Sequence, residues 1–546
     1  MDGSFTEQDK KIGRIVAVSG ARVVALLDEP IAAPDDPTAG AATAKGNELQ
    51  MGGIVKIRMP DSIVFGMIGG LTIPLPSDDD EIDEMRFVEL DLLGECDDLG
   101  ADGISAFRRG VSELPSLSQV VFRAHQDDLA RVYAVAHSES VRIGTIHQDR
   151  SLPAFVVTDE LLGKHFAVLG TTGSGKSCAV AVILRAILGK YPNGHVVLLD
   201  VHNEYSHSFG KRAECLHPGT LEVPYWLLNF EELEEVVLGH EKDDRETMAA
   251  ILSEVVLHAK QQYAGDDPQR DKITVDTPVP YRIGDAARRV DDAVGRLDKT
   301  RETSPYLRLK ERFSILQNDP RYGFMFPGLS IEDRMAQILA RLFRIPVEGK
   351  PITIVDLSGV PSEILNVVVS VLARLTFEFA VWSDRGMPVL LVCEEAHRYA
   401  PREIGLGFEP TKRALARIAK EGRKYGVSLC VVSQRPSELA VDIISQCNTI
   451  LALRMSNQKD QEFVEATLSE SSVGLLDCLP SLGNAEAVAV GEGVSVPVRL
   501  RFDELSEDHR PRSGTASFSE AWSTDIDDPN FLWGVLDRWR SQYRDE

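Results

Sequence analysis

One short stretch of the chain, GTTGSGKS at residues 170–177, combines three glycines, a lysine and a hydroxyl residue. It fits the pattern G-x-x-x-x-G-K-[ST] and lies between an apolar run of strand length and a segment of helical pattern. Glycines let backbone N–H groups curl around a phosphate, and the helix N-terminus adds the positive end of its dipole. The pattern therefore predicts a nucleotide site, although an ordinary flexible turn is the alternative. The predicted cofactor-binding residues are Gly170, Thr171, Thr172, Gly173, Ser174, Gly175, Lys176, Ser177 and Cys178.

Two residues of this stretch have specific predicted roles. Lys176 is expected to reach the β- and γ-phosphates of ATP, and Ser177 is expected to ligate Mg²⁺. A phosphate cradle alone hydrolyses nothing, so further groups are needed for catalysis.

A second stretch, PVLLVCEEAH at residues 388–397, ends an apolar run with two adjacent carboxylates. Open α/β sheets bind ligands at the carboxyl ends of their strands, so we expect this pair beside the phosphate loop. Glu394 would help to hold Mg²⁺, and Glu395 would orient and polarise the attacking water. The alternative is a solvated strand end with two surface acids. His397 could form a hydrogen bond to the pair, and a structural role explains it equally well.

Three more polar side chains are candidates for the same site. Gln434 ends the run CVVSQRP and could sense the γ-phosphate or position water, although a turn glutamine is an alternative. Arg423, in AKEGRKYG, could neutralise charge on the γ-phosphate from an adjacent subunit. An interaction with the helix dipole is the alternative for Arg423. Arg454, in LALRMS, is a second arginine candidate. The predicted catalytic residues are thus Glu395, Lys176, Arg423 and Gln434.

The elements that must position these residues follow an alternating pattern after residue 150. Apolar runs of strand length alternate with helix-length segments such as 362–382 and 411–425, which indicates an α/β fold with a mainly parallel sheet covered on both faces. The predicted strands are 165–170, 195–200, 352–357, 389–394, 427–432 and 449–455.

The rest of the chain differs in pattern from this α/β segment. Residues 9–150 contain short alternating runs separated by turns, which predicts a small barrel or sandwich, with exposed loops at 29–53 and 77–83. A largely helical insertion is expected at about 206–350. We therefore predict an N-terminal β-domain at 1–150, an ATPase domain at 151–505 and a C-terminal tail at 506–546, whose amphipathic end is expected to dock on a neighbour.

Composition limits the possible environments and partners. The chain has 546 residues, seven cysteines and a formal net charge of −25. No CxxC pair occurs, so a reducing cytoplasm is expected rather than a disulfide framework. The longest apolar stretch, 367–382, is too short and too charged to span a bilayer, so no integral membrane association is expected. The negative charge disfavours nucleic acid at long range, so any DNA contact must lie on a local basic lining.

The motifs together resemble the HerA branch of the HerA–FtsK ATPases. The resemblance rests on LLGKHFAVLGTTGSGKS, LLDVHNEY, LLVCEEAHRYAP, IAKEGRKYGVSLCVVSQRPSEL and GEGVSVPVRLRF, and it extends over nearly the whole chain. It implies a RecA-like P-loop NTPase core preceded by a β-barrel that assists ring assembly. It also implies that Lys176 and Ser177 match the phosphate loop, Glu394 and Glu395 the acidic pair, Gln434 the sensor and Arg423 the trans-acting arginine.

The resemblance implies a function as well. It predicts a homohexameric ring that binds ATP and Mg²⁺ between subunits, translocates on double-stranded DNA through its pore, and works with a nuclease or a Sir2-like effector in DNA-end processing or anti-phage defence. A ring that mainly scaffolds and activates an effector enzyme is the main alternative, and a secretion or conjugation ATPase is a third.

Two features depart from the expected family pattern. Asn203 stands in DVHNEY where a glycine is frequent. The charge of a sixfold ring would be 6 × (−25) = −150, so DNA could enter only past locally basic loops. The stretch from Arg402 to Arg413, with Lys412, is one candidate lining, and Lys211 with Arg212 is another. For the stretch from Arg402 to Arg413, a solvated face of a helix is an equally good explanation.

Overall fold

The structure is a computed structural model of the chain. The residues that it describes are 10–28, 49–73, 85–98, 104–135, 139–217, 220–221, 223–239, 243–296, 303–319, 322, 325, 331–403, 407–467, 473–512, 518–523, 528 and 530–541. The predicted loop at 77–83 and most of the predicted loop at 29–53 lie outside these residues.

The strands, in chain order, are β1 (Lys11–Ser19), β2 (Arg22–Leu27), β3 (Ile54–Arg58), β4 (Ser62–Thr72), β5 (Phe87–Asp97), β6 (Arg108–Arg109), β7 (Val120–Arg123), β8 (Ser140–Ile146), β9 (Pro153–Val157), β10 (Phe166–Leu169), β11 (Val196–Asp200), β12 (Ala213–Leu216), β13 (Ile352–Asp356), β14 (Val389–Cys393), β15 (Val427–Ser433), β16 (Thr449–Leu453), β17 (Glu486–Gly491) and β18 (Val498–Phe502).

The α-helices, in chain order, are α1 (Gln126–Val132), α2 (Thr158–Gly163), α3 (Lys176–Lys190), α4 (Phe230–Leu238), α5 (Arg245–Ala264), α6 (Ile283–Arg296), α7 (Ser304–Asn318), α8 (Met335–Phe343), α9 (Ser362–Trp382), α10 (Glu409–Tyr425), α11 (Val441–Ile444), α12 (Gln458–Thr467), α13 (Val473–Leu476), α14 (Phe518–Ala521) and α15 (Phe531–Ser541).

The chain forms two compact units, which are described separately below. The first unit comprises Met1–Gly194, Thr376–Gly407 and Lys412–Ser506. The second unit comprises His195–Leu375, Phe408–Thr411 and Glu507–Glu546.

A closed β-barrel forms the N-terminal part of the first unit. Its strands follow the order β2-β1-β7-β3-β4-β5, and β2 also pairs with β5, which closes the ring of strands. Side chains such as Ile15, Val23, Val55, Val64 and Leu90 fill the interior with at most 5% of their surface exposed. Closure leaves no unpaired edge among these six strands. The sequence prediction of an N-terminal barrel is therefore confirmed.

A mixed sheet forms the rest of the first unit, in the order β14-β15-β10-β16-β17-β18-β8-β9. Strands β14, β15, β10 and β16 are parallel, and their residues are almost all buried, as expected for apolar strands covered on both faces. The remaining strands extend the sheet in antiparallel fashion. Leu169, at the end of β10, is in register with Ser433 and Ala452, so the loops after these strands begin side by side.

The second unit contains the parallel strands β12-β13-β11 and helices α4 to α8. A buried ion pair joins two of its helices, since the Arg374 guanidinium lies 3.0 Å from the Glu232 carboxylate. Glu232 also completes a capping box with Asn229 at the start of α4. Because burial of a charge is costly without partners, these bonds fix α4 against α9.

Helix α9 is both long and apolar. Its segment Ile364–Trp382 is long and apolar enough to cross a membrane, with a mean hydropathy of 1.8, so the sequence argument that this stretch is too short and too charged to span a bilayer is wrong. Within the structure, 78% of an apolar 18-residue part of this segment is buried. A buried core helix has these same properties.

Candidate functional site

The phosphate loop lies between β10 and α3, as its pattern predicts. Gly170 follows the last residue of β10, and Lys176 begins α3. The loop closes on itself, because the Lys176 Nζ donates to the Thr171 carbonyl over 3.0 Å and the Ser174 hydroxyl donates to the same oxygen over 2.7 Å. Ser177 and Cys178 lie in the first turn of α3. The Lys176 side chain is thus held within the loop, with only 5% of the residue exposed.

Two glycines of the loop are required by its geometry. Gly175 has a φ of 100°, in the left-handed region, and a Cβ there would lie 3.3 Å from the Ala485 amide nitrogen. At Gly170 a Cβ would lie 2.8 Å from the Ser174 hydroxyl oxygen and 2.9 Å from the Leu453 Cβ. The left-handed backbone disfavours a side chain at Gly175, and the approaches below 3.0 Å disfavour one at Gly170.

The N-terminus of α3 fits a phosphate group. Helix α3 has 15 residues, its N-cap is Gly175, no side chain caps it, and no acidic residue lies in its first turn. The first N–H groups of a helix lack intrahelical partners and carry partial positive charge. With the Lys176 ammonium at the same end, this donor set suits an anion.

The acidic pair follows β14 and is buried. Glu394 and Glu395 are each 2% exposed, which contradicts the alternative of two surface acids at a solvated strand end. Glu395 has a φ of 49° and a ψ of 43°, a left-handed conformation that is unusual for a residue other than glycine. The Tyr399 hydroxyl donates to the Glu394 carbonyl over 2.8 Å and so supports the turn. Strained conformations of this kind are concentrated at functional sites.

Gln434 joins the phosphate loop to the acidic pair. Its Nε2 donates to the Glu395 Oε1, and its Oε1 accepts a hydrogen bond from the Thr172 hydroxyl. Gln434 follows Ser433, the last residue of β15, so the register of β10, β14 and β15 brings the three side chains together. A direct side-chain path therefore runs from the loop to the carboxylate at the position predicted for the base.

His397 lies on the other side of the same carboxylate. Its Nδ1 is 3.3 Å from the Glu395 Oε2 and 3.1 Å from the Ser433 hydroxyl oxygen. Burial lowers the pKa of His397, although the neighbouring Glu395 acts in the opposite direction. The imidazole and the Glu395 carboxylate are thus in direct contact.

The two candidate arginines lie at opposite ends of the parallel strands. Arg454 follows β16, and its carbonyl accepts hydrogen bonds from the Thr171 N–H and hydroxyl, both 3.0 Å long. Arg423 is exposed and lies in the last turn of α10, just before β15 begins at Val427. Strand β15 has seven residues and so spans about 20 Å. Within one chain, Arg423 is thus separated from the phosphate loop by the length of the strand.

The candidate basic linings are only partly described. Arg402 lies 5.9 Å from the centre of the Phe463 ring, and Lys412 donates to the Glu403 carbonyl over 2.9 Å. Residues 404–406, between them, lie outside the described part of the chain. In the second unit, Lys211 and Arg212 lie in a short turn of 3-10 helix.

Asn203, the departure from the family pattern, has a φ of 52°. This left-handed conformation is one that glycine and asparagine adopt most readily. An asparagine is therefore compatible with the backbone observed at this position.

Sequence reasoning named Thr172 only as part of the loop and did not single out Ser433. Their roles as partners of Gln434 and His397 follow from strand register, which a motif does not contain. The signal available in the sequence was their position: each lies within three residues of a strand end at the predicted ligand edge.

Comparisons with known proteins identify chains similar to this one. The family model described as the central domain of helicase HerA matches residues 141–376. The DNA double-strand break repair helicase HerA of Pyrococcus furiosus is 27% identical over 473 residues, which cover 78% of each chain. The helicase HerA of Sulfolobus acidocaldarius is 24% identical, over 81% of this chain and 86% of its own.

Two solved structures resemble parts of this chain at low sequence identity. VirB4 of Thermoanaerobacter pseudethanolicus has a TM-score of 0.46 at 16% identity, over 69% of this chain and 100% of its own. The plasmid coupling protein TrwB in complex with a non-hydrolysable ATP analogue has a TM-score of 0.47 at 16% identity, over 72% of this chain and 96% of its own. Residues 141–376 match the HerA central domain, and together the family model, the relatives and the phosphate loop support a HerA-type ATPase of the HerA–FtsK superfamily.

Proposed function

We propose that this chain is the subunit of an ATP-driven ring motor that translocates on double-stranded DNA. The observation that carries the proposal is the hydrogen-bonded path from Thr172 through Gln434 to Glu395, because it joins a phosphate cradle to a buried carboxylate. The curated relatives with the name HerA are repair helicases, which supports DNA as the substrate on which the motor acts.

ATP with Mg²⁺ fits the residues at the carboxyl edge of the sheet. The uncapped start of α3 and the Lys176 ammonium would bind the phosphates, while the Ser177 hydroxyl and the Glu394 carboxylate are hard oxygen ligands suited to Mg²⁺. A magnesium ion at such a site takes its other ligands from phosphates and water, and it neutralises charge on the phosphates.

Glu395 is the proposed general base. Its carboxylate would orient a water molecule and accept its proton. The hydrogen bonds of Gln434 would couple nucleotide binding at the loop to the position of that carboxylate. Both residues are supported by the contacts described above, in which Gln434 touches the loop and the carboxylate together.

Arg423 is proposed to act on the nucleotide of the adjacent subunit. Its exposure and its place at the amino end of β15 support action in trans, since its own loop lies at the other end of the strand. Arg454 lies beside its own loop, so we assign it a role in the same subunit. A ring in which each site uses two subunits follows from this division, and a homohexamer is the proposed assembly.

The partner is proposed to be a nuclease or a Sir2-like effector, in DNA-end processing or anti-phage defence, and the proposed location is the cytoplasm.

A second candidate function is a ring that scaffolds an effector with little motor activity. Two observations favour this second function: the net charge of −25 and the exposed aromatic side chains of the C-terminal segment, where Trp522, Trp533 and Trp539 are 81%, 63% and 71% exposed. Stimulation of hydrolysis by DNA supports the motor, and stimulation by an effector alone supports the scaffold.

The site assignment is tested with two single variants. We expect Glu395→Gln to bind ATP but to lose at least about 100-fold in kcat, because an amide cannot accept the proton of water. We expect Lys176→Ala to weaken ATP binding itself, because a phosphate-binding cation is removed. Steady-state hydrolysis and titration with a fluorescent ATP analogue separate the two effects. Full hydrolysis by Glu395→Gln would refute the assignment.

A further inference from the structure

We propose that His397 is a positioning residue for hydrolysis, which fixes the Glu395 carboxylate through a hydrogen bond from Nδ1–H to Oε2. The proposal rests on the proposed function, because it needs Glu395 as the base. His397 need not touch the nucleotide to act in this way.

The contacts determine which nitrogen of His397 carries the proton. The Glu395 Oε2 can only accept, and it lies 3.3 Å from Nδ1. A tautomer without a proton on Nδ1 would set a nitrogen lone pair against a carboxylate oxygen, which is repulsive. The Ser433 hydroxyl oxygen, 3.1 Å from Nδ1, already accepts the Arg435 N–H over 3.1 Å and can accept from Nδ1–H as well. The Nδ1–H tautomer therefore satisfies all these groups.

The backbone around His397 makes this contact rigid. His397 is the middle residue of the turn Ala396–Arg398, whose N-cap is Glu395 in its left-handed conformation. The Ala396 side chain and Tyr399 are buried, with 2% and 0% exposure, and the Ser433 carbonyl accepts from the Gly170 N–H over 3.3 Å. His397 is thus anchored to the end of β15, beside the start of the phosphate loop.

The two oxygens of Glu395 have partners of different kinds. Gln434 contacts Oε1 and is itself bonded to Thr172 of the loop, so this bond can respond to a nucleotide. His397 contacts Oε2 and also the hydroxyl of Ser433, a fixed group at the end of β15. When Gln434 exchanges partners, His397 would keep the carboxylate in place through its own hydrogen bond to Oε2.

The test uses the full-length chain and compares two amide substitutions. His397→Asn places an amide N–H near the position of Nδ1, whereas His397→Gln places it near Nε2, away from Glu395. We expect His397→Gln to lower kcat about 10–100-fold with KM changed less than about threefold, since a base displaced by about 1 Å loses rate and not substrate affinity. We expect the logarithm of kcat for His397→Asn to lie at least about halfway between the values for His397→Gln and for the wild type.

A combined variant tests whether His397 acts through Glu395. In a chain that already carries Glu395→Gln, the further change His397→Gln should leave the residual kcat unchanged, because its target is absent. His147→Gln is the control, since this histidine is 3.6 Å from the Glu486 carboxylate and lies outside the site, and its kcat should equal that of the wild type.

Each outcome has a distinct meaning. Wild-type kcat in His397→Gln, equal losses in the asparagine and glutamine variants, or a further loss in the combined variant would each overturn the positioning role. Full activity of Glu395→Gln alone would instead overturn the proposed function on which it rests.

Discussion

At the residue scale, the buried carboxyl of Asp200 makes the second unit sensitive to pH. Asp200 ends β11, is fully buried, and accepts the N–H groups of Tyr205 over 2.9 Å and of His202 over 3.2 Å. Burial raises its pKa to about 6, and these hydrogen bonds oppose the shift only in part. Asp356, its partner in register on β13, adds a like charge that also raises the pKa.

The sign of the pH effect follows from this shift. The folded chain holds the proton of Asp200 up to about pH 6, whereas the unfolded chain releases it near pH 3.8. Its contribution to the free energy of unfolding is therefore greatest below about pH 4 and declines by about 3 kcal/mol as the pH rises through 6. We expect the urea concentration at the unfolding midpoint of the wild type to decrease, relative to that of Asp200→Asn, as the pH rises from 4 to 7.

The variant Asp356→Asn provides the matched comparison. It removes the neighbouring like charge, so the decline in stability should shift to lower pH. Urea unfolding at a series of pH values measures all three chains. A difference between wild type and Asp200→Asn that stays constant from pH 4 to pH 7 would show that Asp200 does not titrate in this range.

At the element scale, the strands were predictable where burial is continuous. All six apolar runs after residue 150 form strands, and 362–382 and 411–425 coincide with α9 and most of α10. The antiparallel extension through β17, β18, β8 and β9 was not predicted, because it joins segments more than 300 residues apart. The same limit applies to the site: the motifs identified Lys176 and Glu395, but only strand register shows that Gln434 bonds to Thr172.

An arginine of the barrel links two elements within the first unit. Arg109, in β6, donates to the Gly491 carbonyl over 2.7 Å and also to the carbonyls of Val494 and Ser495. These carbonyls belong to the turn between β17 and β18, so one guanidinium holds the turn of the sheet to the barrel. Charged hydrogen bonds of this kind contribute more than neutral ones.

We expect Arg109→Gln to increase amide hydrogen exchange in residues 491–495 about tenfold, which corresponds to about 1.4 kcal/mol. Arg108→Gln is the matched control, because this adjacent arginine bonds instead to Glu95 and Asp97 of the barrel. Exchange measured by mass spectrometry should change in the turn only for Arg109→Gln. Equal exchange in the two variants would mean that the barrel does not restrain the turn.

At the scale of the whole molecule, charge separates the two proposed functions. A sixfold ring would carry 6 × (−25) = −150 formal charges, so duplex DNA would be repelled except at basic loops. A motor then requires that DNA contacts be few and sensitive to salt. The scaffold function has no such requirement.

The shared site makes a prediction that only an assembly can satisfy. Rings made from equal amounts of Lys176→Ala and Arg423→Ala subunits contain some interfaces where an intact loop faces an intact arginine. Roughly a quarter of the interfaces should be of this kind, so hydrolysis should recover although each variant alone is inactive. Co-expression of the two chains, followed by native mass measurement and an ATPase assay, provides the test.

Arg454 supplies the control for this experiment. The bonds from Thr171 to the Arg454 carbonyl place this residue beside its own loop, so we expect loss of its guanidinium in Arg454→Ala to impair the site of the same subunit. Rings of Lys176→Ala with Arg454→Ala should then recover nothing, since every site lacks one of the two residues. If Arg423→Ala also gives no recovery in assembled rings, Arg423 does not act on the adjacent subunit. A stable monomer with full ATPase activity would exclude the shared site altogether.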